Sequence, residues 1–131
     1  MNKQQLFEHL GFSDEDRVAV IHMDDIGFCH SSNVAAFECL EFGVASCGST
    51  IVPAPWFFET AAICRNHPQY DVGVELALTC EYERYRWRAV STADAETGLL
   101  DEQGCLWKTR EAAIENVRPE AAEVELLRQL E

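Results

Sequence analysis

The sequence has no C-x-x-C pair, no apolar run approaching the ~18 residues of a membrane-spanning helix, and no basic start followed by an apolar core. These absences argue against a compact zinc knuckle, a membrane span and a secretory leader, and a soluble, cytoplasmic protein is expected. Basic residues are scarce: ten Lys and Arg against 23 Asp and Glu give a formal net charge of −13. Such a chain repels phosphate backbones and anionic membrane surfaces, so neither nucleic acid nor membrane is an expected partner. The six cysteines are widely spaced and read as reduced thiols, with Cys39 and Cys64 as small buried hydrophobes. With 131 residues, 47% of them hydrophobic, one compact domain is expected.

Apolar patterning gives the organisation. Residues 18–23, VAVIHM, form a short apolar run suited to a strand covered on both faces. Ser31 or Ser32 is placed to cap a helix whose Val34, Phe37 and Leu40 recur at helical spacing and which Gly43 stops. A second strand is expected over 48–53 and a helix after Pro55, with PWFF (55–58) packing into the core at its start. A third strand is expected over 71–78. This βαβαβ order implies an α/β fold with a parallel sheet and right-handed crossovers, in which function collects at the carboxyl ends of the strands. Residues 80–108 follow as an elaborated loop rich in aromatic and charged residues, then two helical stretches, the second starting at Pro119. The amphipathic pattern is still running at Glu131, and three parallel strands leave two open edges through which another copy or a complementary half could pair.

Asp24 and Asp25 stand where the first strand gives way to a loop. Paired aspartates serve as turn formers or caps. In the crevice above a parallel sheet, one carboxylate can instead bind a divalent cation while its neighbour takes a proton from the metal-bound water. The stretch from Asp24 to Thr79 decides between them, because Asp24, Asp25, Gly27, Asn33, Gly43, Val44, Ser49, Thr50, His67, Pro68, Gly73, Leu76, Leu78 and Thr79 follow a known pattern in order. Over residues 17–125 the chain resembles the first half of the YdjC-type carbohydrate deacetylases, also called the ChbG/HpnK family.

The resemblance implies a (β/α) barrel-like hydrolase that removes acetyl groups from N-acetylated sugars, with a divalent metal held by an aspartate and two histidines. By that analogy Asp25 is a metal ligand and Asp24 the general base. The chain departs from the pattern twice. Glu75 replaces the histidine of the third strand, which suits an oxygen-rich site for magnesium or manganese, with zinc the alternative cofactor. The family's remaining metal histidine lies beyond the last residue, so this chain alone is expected to be weakly active or inactive. Tyr82, Tyr85, Arg86 and Trp87 offer rings and guanidinium groups for a sugar. His22 reads as a strand-edge histidine, His30 as a solvated loop residue, and His9 and His67 as structural. Two other readings compete: a receiver-like signalling module with an acidic magnesium site, and a non-catalytic half that assembles with another chain.

Overall fold

A computed structural model describes residues 2–13 and 15–131. After helix α1 (Lys3–His9), the order is β1 (His22–Ile26), α2 (His30–Glu41), β2 (Cys47–Ile51), α3 (Phe57–Asn66) and β3 (Val72–Glu75). A 3-10 turn (Ala95–Thr97), α4 (Arg110–Asn116) and α5 (Pro119–Leu130) complete the chain. The three strands are parallel and lie side by side in chain order, β1-β2-β3. The expected α/β architecture is present. Consecutive order is that of a barrel wall, whereas a receiver-type sheet places its first strand between the second and third.

Local chemistry sets the boundaries of these elements. α2 ends in a Schellman motif: Gly43 takes φ +74, its N–H reaches the Leu40 carbonyl (3.3 Å), and that of Val44 reaches Cys39 (2.9 Å). At its start α2 departs from expectation. Cys29 is the cap residue and makes no side-chain cap bond, and both serines lie inside the first turn. Thr109 does cap α4 through the Ala112 N–H, and Pro119 opens α5.

Two apolar clusters hold the sheet. Ile26, Ala36 and Phe37, flanked by Met23, Leu40, Ile63 and Val72, fill the space between the sheet and helices α2 and α3. Ile51 and Ala54 pack with Cys80, Trp87, Leu99, Leu100 and Leu106 in the second. The 80–108 segment is thus less a surface loop than a second wall of core. Arg86 fastens it through Asp101 (2.7 Å) and the Leu106 carbonyl (2.7 Å).

Three expectations about burial are corrected. Residues 18–21 are exposed and outside any strand, and β1 begins only at His22. Helices α2 and α3 cover one face of the sheet, so no second layer closes over that run among the described residues. In PWFF, Phe58 is 81% exposed, because α3 turns Thr60 and Ile63 inward and Phe58 outward. Cys39 and Cys64 are half-buried rather than buried, and all six cysteines are unpaired. No helix among the described residues is long and apolar enough to cross a membrane.

Candidate active site at the strand ends

The two aspartates lie within β1, at an irregularity. Met23 pairs with Gly48 and Ile26 with Thr50, so Asp24 and Asp25 together oppose the single residue Ser49. This is a β-bulge, a device that re-aims side chains at the ends of sheets. Asp25 takes φ +59, the one non-glycine residue at positive φ among those described. A left-handed aspartate costs about 1 kcal/mol and is tolerated because its short polar side chain finds local partners.

The partners come from the other two strands and the following loop. Glu75 Oε2, at the end of β3, accepts the Asp25 N–H (3.3 Å) and the Ser49 hydroxyl (2.9 Å). Tyr82 donates its hydroxyl to Asp25 Oδ2 at 2.6 Å. The bulge thus gathers Asp25, Ser49, Glu75 and Tyr82 into one cluster across the mouth of the sheet. Sequence reasoning missed Ser49 as a member. Its signal was the pleat, which puts Ser49 on the same face as a residue ending the neighbouring strand.

The hydrogen bond to Asp25, then burial and the negative charges of Asp25, Glu81 and Glu75, push the Tyr82 hydroxyl up to about 12. A folded-state value above the unfolded one, about 10, means the contact stabilises the fold fully below pH 10 and is lost as pH rises toward 12. Ultraviolet titration of tyrosinate is expected to show a group ionising near pH 12 that Tyr82→Phe removes. An unchanged titration in that variant would contradict the contact.

Asp24 stands apart from this cluster. Its side chain is 76% exposed and its Oδ1 meets His22 Nδ1 at 3.0 Å. Behind the mouth, Asn33 is fully buried and holds the turn after β1. Its Oδ1 accepts the Gly27 N–H (2.7 Å), while its Nδ2 donates to the Trp56 carbonyl (3.2 Å) and to Glu59 (2.8 Å). Gly27, at φ +98, is needed because an added Cβ would lie 3.0 Å from Thr50 Oγ1 and 3.3 Å from the Ile51 carbonyl. His30 bonds to Glu59 (2.8 Å) rather than facing Asp25.

The candidate sugar-binding residues divide. Tyr82 and the half-exposed Tyr85 flank Phe28 with ring centroids 4.3 and 4.7 Å away. Trp87 is 3% exposed inside the second core cluster, so its ring has no open face for a sugar. The Arg86 guanidinium is spent on Asp101, Gln103 and Leu106.

Residues 18–131 match the family described as YdjC-like protein. The chain belongs to the YdjC-like family. A carbohydrate deacetylase of Thermus thermophilus is 33% identical over 126 residues, 96% of this chain and 42% of that protein. A carbohydrate deacetylase of Geobacillus stearothermophilus is 27% identical over 64 residues, 49% of this chain and 26% of that protein. A crystal structure from Enterococcus faecalis V583, described provisionally as a cellobiose-phosphate cleavage protein, superposes with a TM-score of 0.71 at 24% identity. That match covers 84% of this chain and 41% of the other. This YdjC-like chain therefore spans about two fifths of the length of the Thermus and Enterococcus proteins, and shares the fold of the latter over that span.

Proposed function

We propose that this YdjC-like chain carries part of a carbohydrate deacetylase site, one that hydrolyses N-acetyl groups of amino sugars or their oligomers. The observation that carries the reading is the convergence of Asp25, Ser49, Glu75 and Tyr82 on one strand-end mouth, in a family whose named relatives are carbohydrate deacetylases. Six unpaired thiols and the absence of a membrane-crossing helix among the described residues suit a cytoplasmic location.

The donor set supports magnesium over zinc. Catalytic zinc usually takes three protein ligands, and no group of three His, Cys, Asp or Glu side chains able to hold a metal occurs among the described residues. Magnesium keeps several waters and is held by one or two carboxylates, which Asp25 and Glu75 would provide. Such a cation supplies positive charge that polarises an acetamide oxygen.

The chain's own residues do the rest. Ser49 and the Asp25 N–H orient Glu75, and Tyr82 fixes one oxygen of Asp25, leaving the other free for binding. Asp24, on the open face of β1, is the proton acceptor. The half-exposed Tyr85 offers a ring face to the apolar side of a pyranose, with Arg86 and Trp87 holding the loop that carries it.

With two ligands in place, turnover of N-acetylglucosamine oligomers is expected to be slow, below about 1 s⁻¹ against an enzyme median of about 10 s⁻¹. Acetate release should respond to magnesium more than to zinc, and Asp25→Asn should lower it by a further ~10–100-fold. Fast zinc-driven release, or release that Asp25→Asn leaves intact, would overturn the assignment.

A further inference from the structure

We propose that Trp56 and His30 form a second pyranose platform beside the strand-end mouth, one that binds a neighbouring sugar of an N-acetylglucosamine oligomer and so favours oligomers over the monosaccharide. The inference rests on the deacetylase reading for its ligand, and on the turn after β1 for its placement.

The two rings lie side by side at one end of the sheet. His30 is the first residue of α2 and Trp56 the cap residue of α3, so both stand where helices leave the carboxyl ends of parallel strands, the end at which the mouth opens. Their ring centroids are 5.3 Å apart. Trp56 is 42% exposed and the His30 side chain is open to solvent too. The other two tryptophans are committed to the fold, Trp87 inside the second core cluster and Trp107 through its indole N–H to the Gly98 carbonyl.

One buried side chain ties these rings to the turn that carries Asp25. Asn33 accepts the Gly27 N–H at Oδ1, and its Nδ2 donates both to the Trp56 carbonyl and to Glu59 Oε2. The other oxygen of Glu59 meets His30 Nδ1 at 2.8 Å. The Trp56 N–H closes the circuit on the Gly27 carbonyl (2.9 Å), and the Phe28 N–H donates to the Asp25 carbonyl (3.2 Å) across the same turn. Because Gly27 follows Asp25 by two residues, covalent geometry and one hydrogen bond keep the Cα atoms of Trp56 and Asp25 within roughly 14 Å. One or two pyranose rings bridge that gap. The platform is held in place before any ligand arrives, which lowers the ordering cost of binding.

Its chemistry matches a sugar, which has an apolar face of C–H groups and a rim of hydroxyls. Trp56 supplies flat apolar area for the face. The hydrogen bond from Asn33, opposed by burial and aided by His30, holds the Glu59 carboxyl below the usual glutamate range, so Glu59 is ionised and accepts the His30 Nδ1–H. His30 Nε2 is then left at the rim: it accepts from a hydroxyl when the ring is neutral and donates to one when the ring is protonated. A second copy of this chain would bring another −13 of formal charge to the patch, which disfavours that occupant.

Binding can be read without turnover, which keeps this inference separable from the deacetylase reading. The probes are the N-acetylglucosamine trimer and the monosaccharide, followed through the indole N–H signals of nitrogen-labelled protein. The trimer is expected to shift the Trp56 signal and to bind about tenfold more tightly than the monosaccharide. Trp56→Ala should remove that advantage while keeping the monosaccharide affinity, Trp56→Phe should restore most of it, and His30→Ala should lose a smaller share. Phe42→Ala deletes a more exposed ring about 18 Å away by helical rise, at the far end of α2, and should leave both affinities unchanged. No binding of the trimer, equal binding of trimer and monosaccharide, or a trimer affinity unmoved by Trp56→Ala would overturn the platform. Self-association that Trp56→Ala abolishes would also overturn it, by giving the patch to a second copy. A trimer advantage that depends on Trp56, with no acetate released from any N-acetyl sugar, would uphold the platform and remove the deacetylase assignment.

Discussion

Replacing Glu125 by alanine is expected to destabilise the protein by about 3 kcal/mol, a large share of the ~5–15 kcal/mol that holds a typical domain together. Glu125 is fully buried, yet it is the last residue an amphipathic reading of α5 would put inside. Its two oxygens accept the N–H groups of Val90 (3.0 Å) and Ser91 (2.8 Å), and Oε1 also takes Gln129 Nε2 (2.7 Å). Gln129 in turn clamps Ala77, donating to its carbonyl (2.8 Å) and accepting its N–H (2.9 Å). One helix face thus replaces strand pairing for the chain just beyond β3 and fixes the loop that carries Tyr82. Alanine would leave two part-buried backbone donors without their partner, and a group fully cut off from water costs roughly 1–3 kcal/mol.

Glutamine at 125 should lose about half as much, because it keeps one accepting oxygen. Burial pushes the Glu125 carboxyl up, but hydrogen bonds from Ser91, Val90 and Gln129 together outweigh it and hold the group below the usual glutamate range. The folded-state value is therefore the depressed one. Its stabilisation is present above the ordinary glutamate value, about 4.3, and is lost as pH falls through the lower folded one. Urea melts at neutral pH should separate Glu125→Ala from wild type, and the gap should narrow in acid. Coincident neutral-pH melts would contradict the anchoring role.

What the sequence makes legible follows from which forces leave a periodic trace. The βαβαβ order could be read because apolar runs, cap residues and glycine stops repeat at strand and helix spacing, and the strand-end rule then located Asp25 and Glu75. The bulge could not be read, since nothing in HMDDIG distinguishes a register slip from a straight strand. Residues 18–21 misled because hydrophobicity measures what a side chain prefers, not whether a second layer covers it. α5 inverts the usual preference: Leu127 and Leu130 are exposed while Glu125 and Gln129 are buried. Those two polar residues answer the backbone groups of an irregular segment, whose demands have no period. The core contributed by Trp87, Leu99, Leu100 and Leu106 is likewise assembled by long-range packing among residues that share no repeat.

Gly98→Ala should be the most damaging single methyl group that can be added to this chain, with a loss of about 4 kcal/mol or more. Gly98 closes the 3-10 turn at φ +74, and its carbonyl accepts the Trp107 indole N–H at 2.7 Å. A Cβ built there would lie 1.9 Å from the Asn116 carbonyl oxygen and 2.8 Å from its carbon. These are backbone atoms at the end of α4, so relief requires moving the α4–α5 junction and, with it, the helix that carries Glu125 and Gln129. Gly43 provides the control, because it has the same φ of +74 but nothing within 4 Å of its added Cβ. Gly43→Ala isolates the left-handed backbone penalty, about 1 kcal/mol. The difference between the two variants in chemical denaturation then measures the close approach itself, and near-equal losses would mean that the α4 end is free to yield.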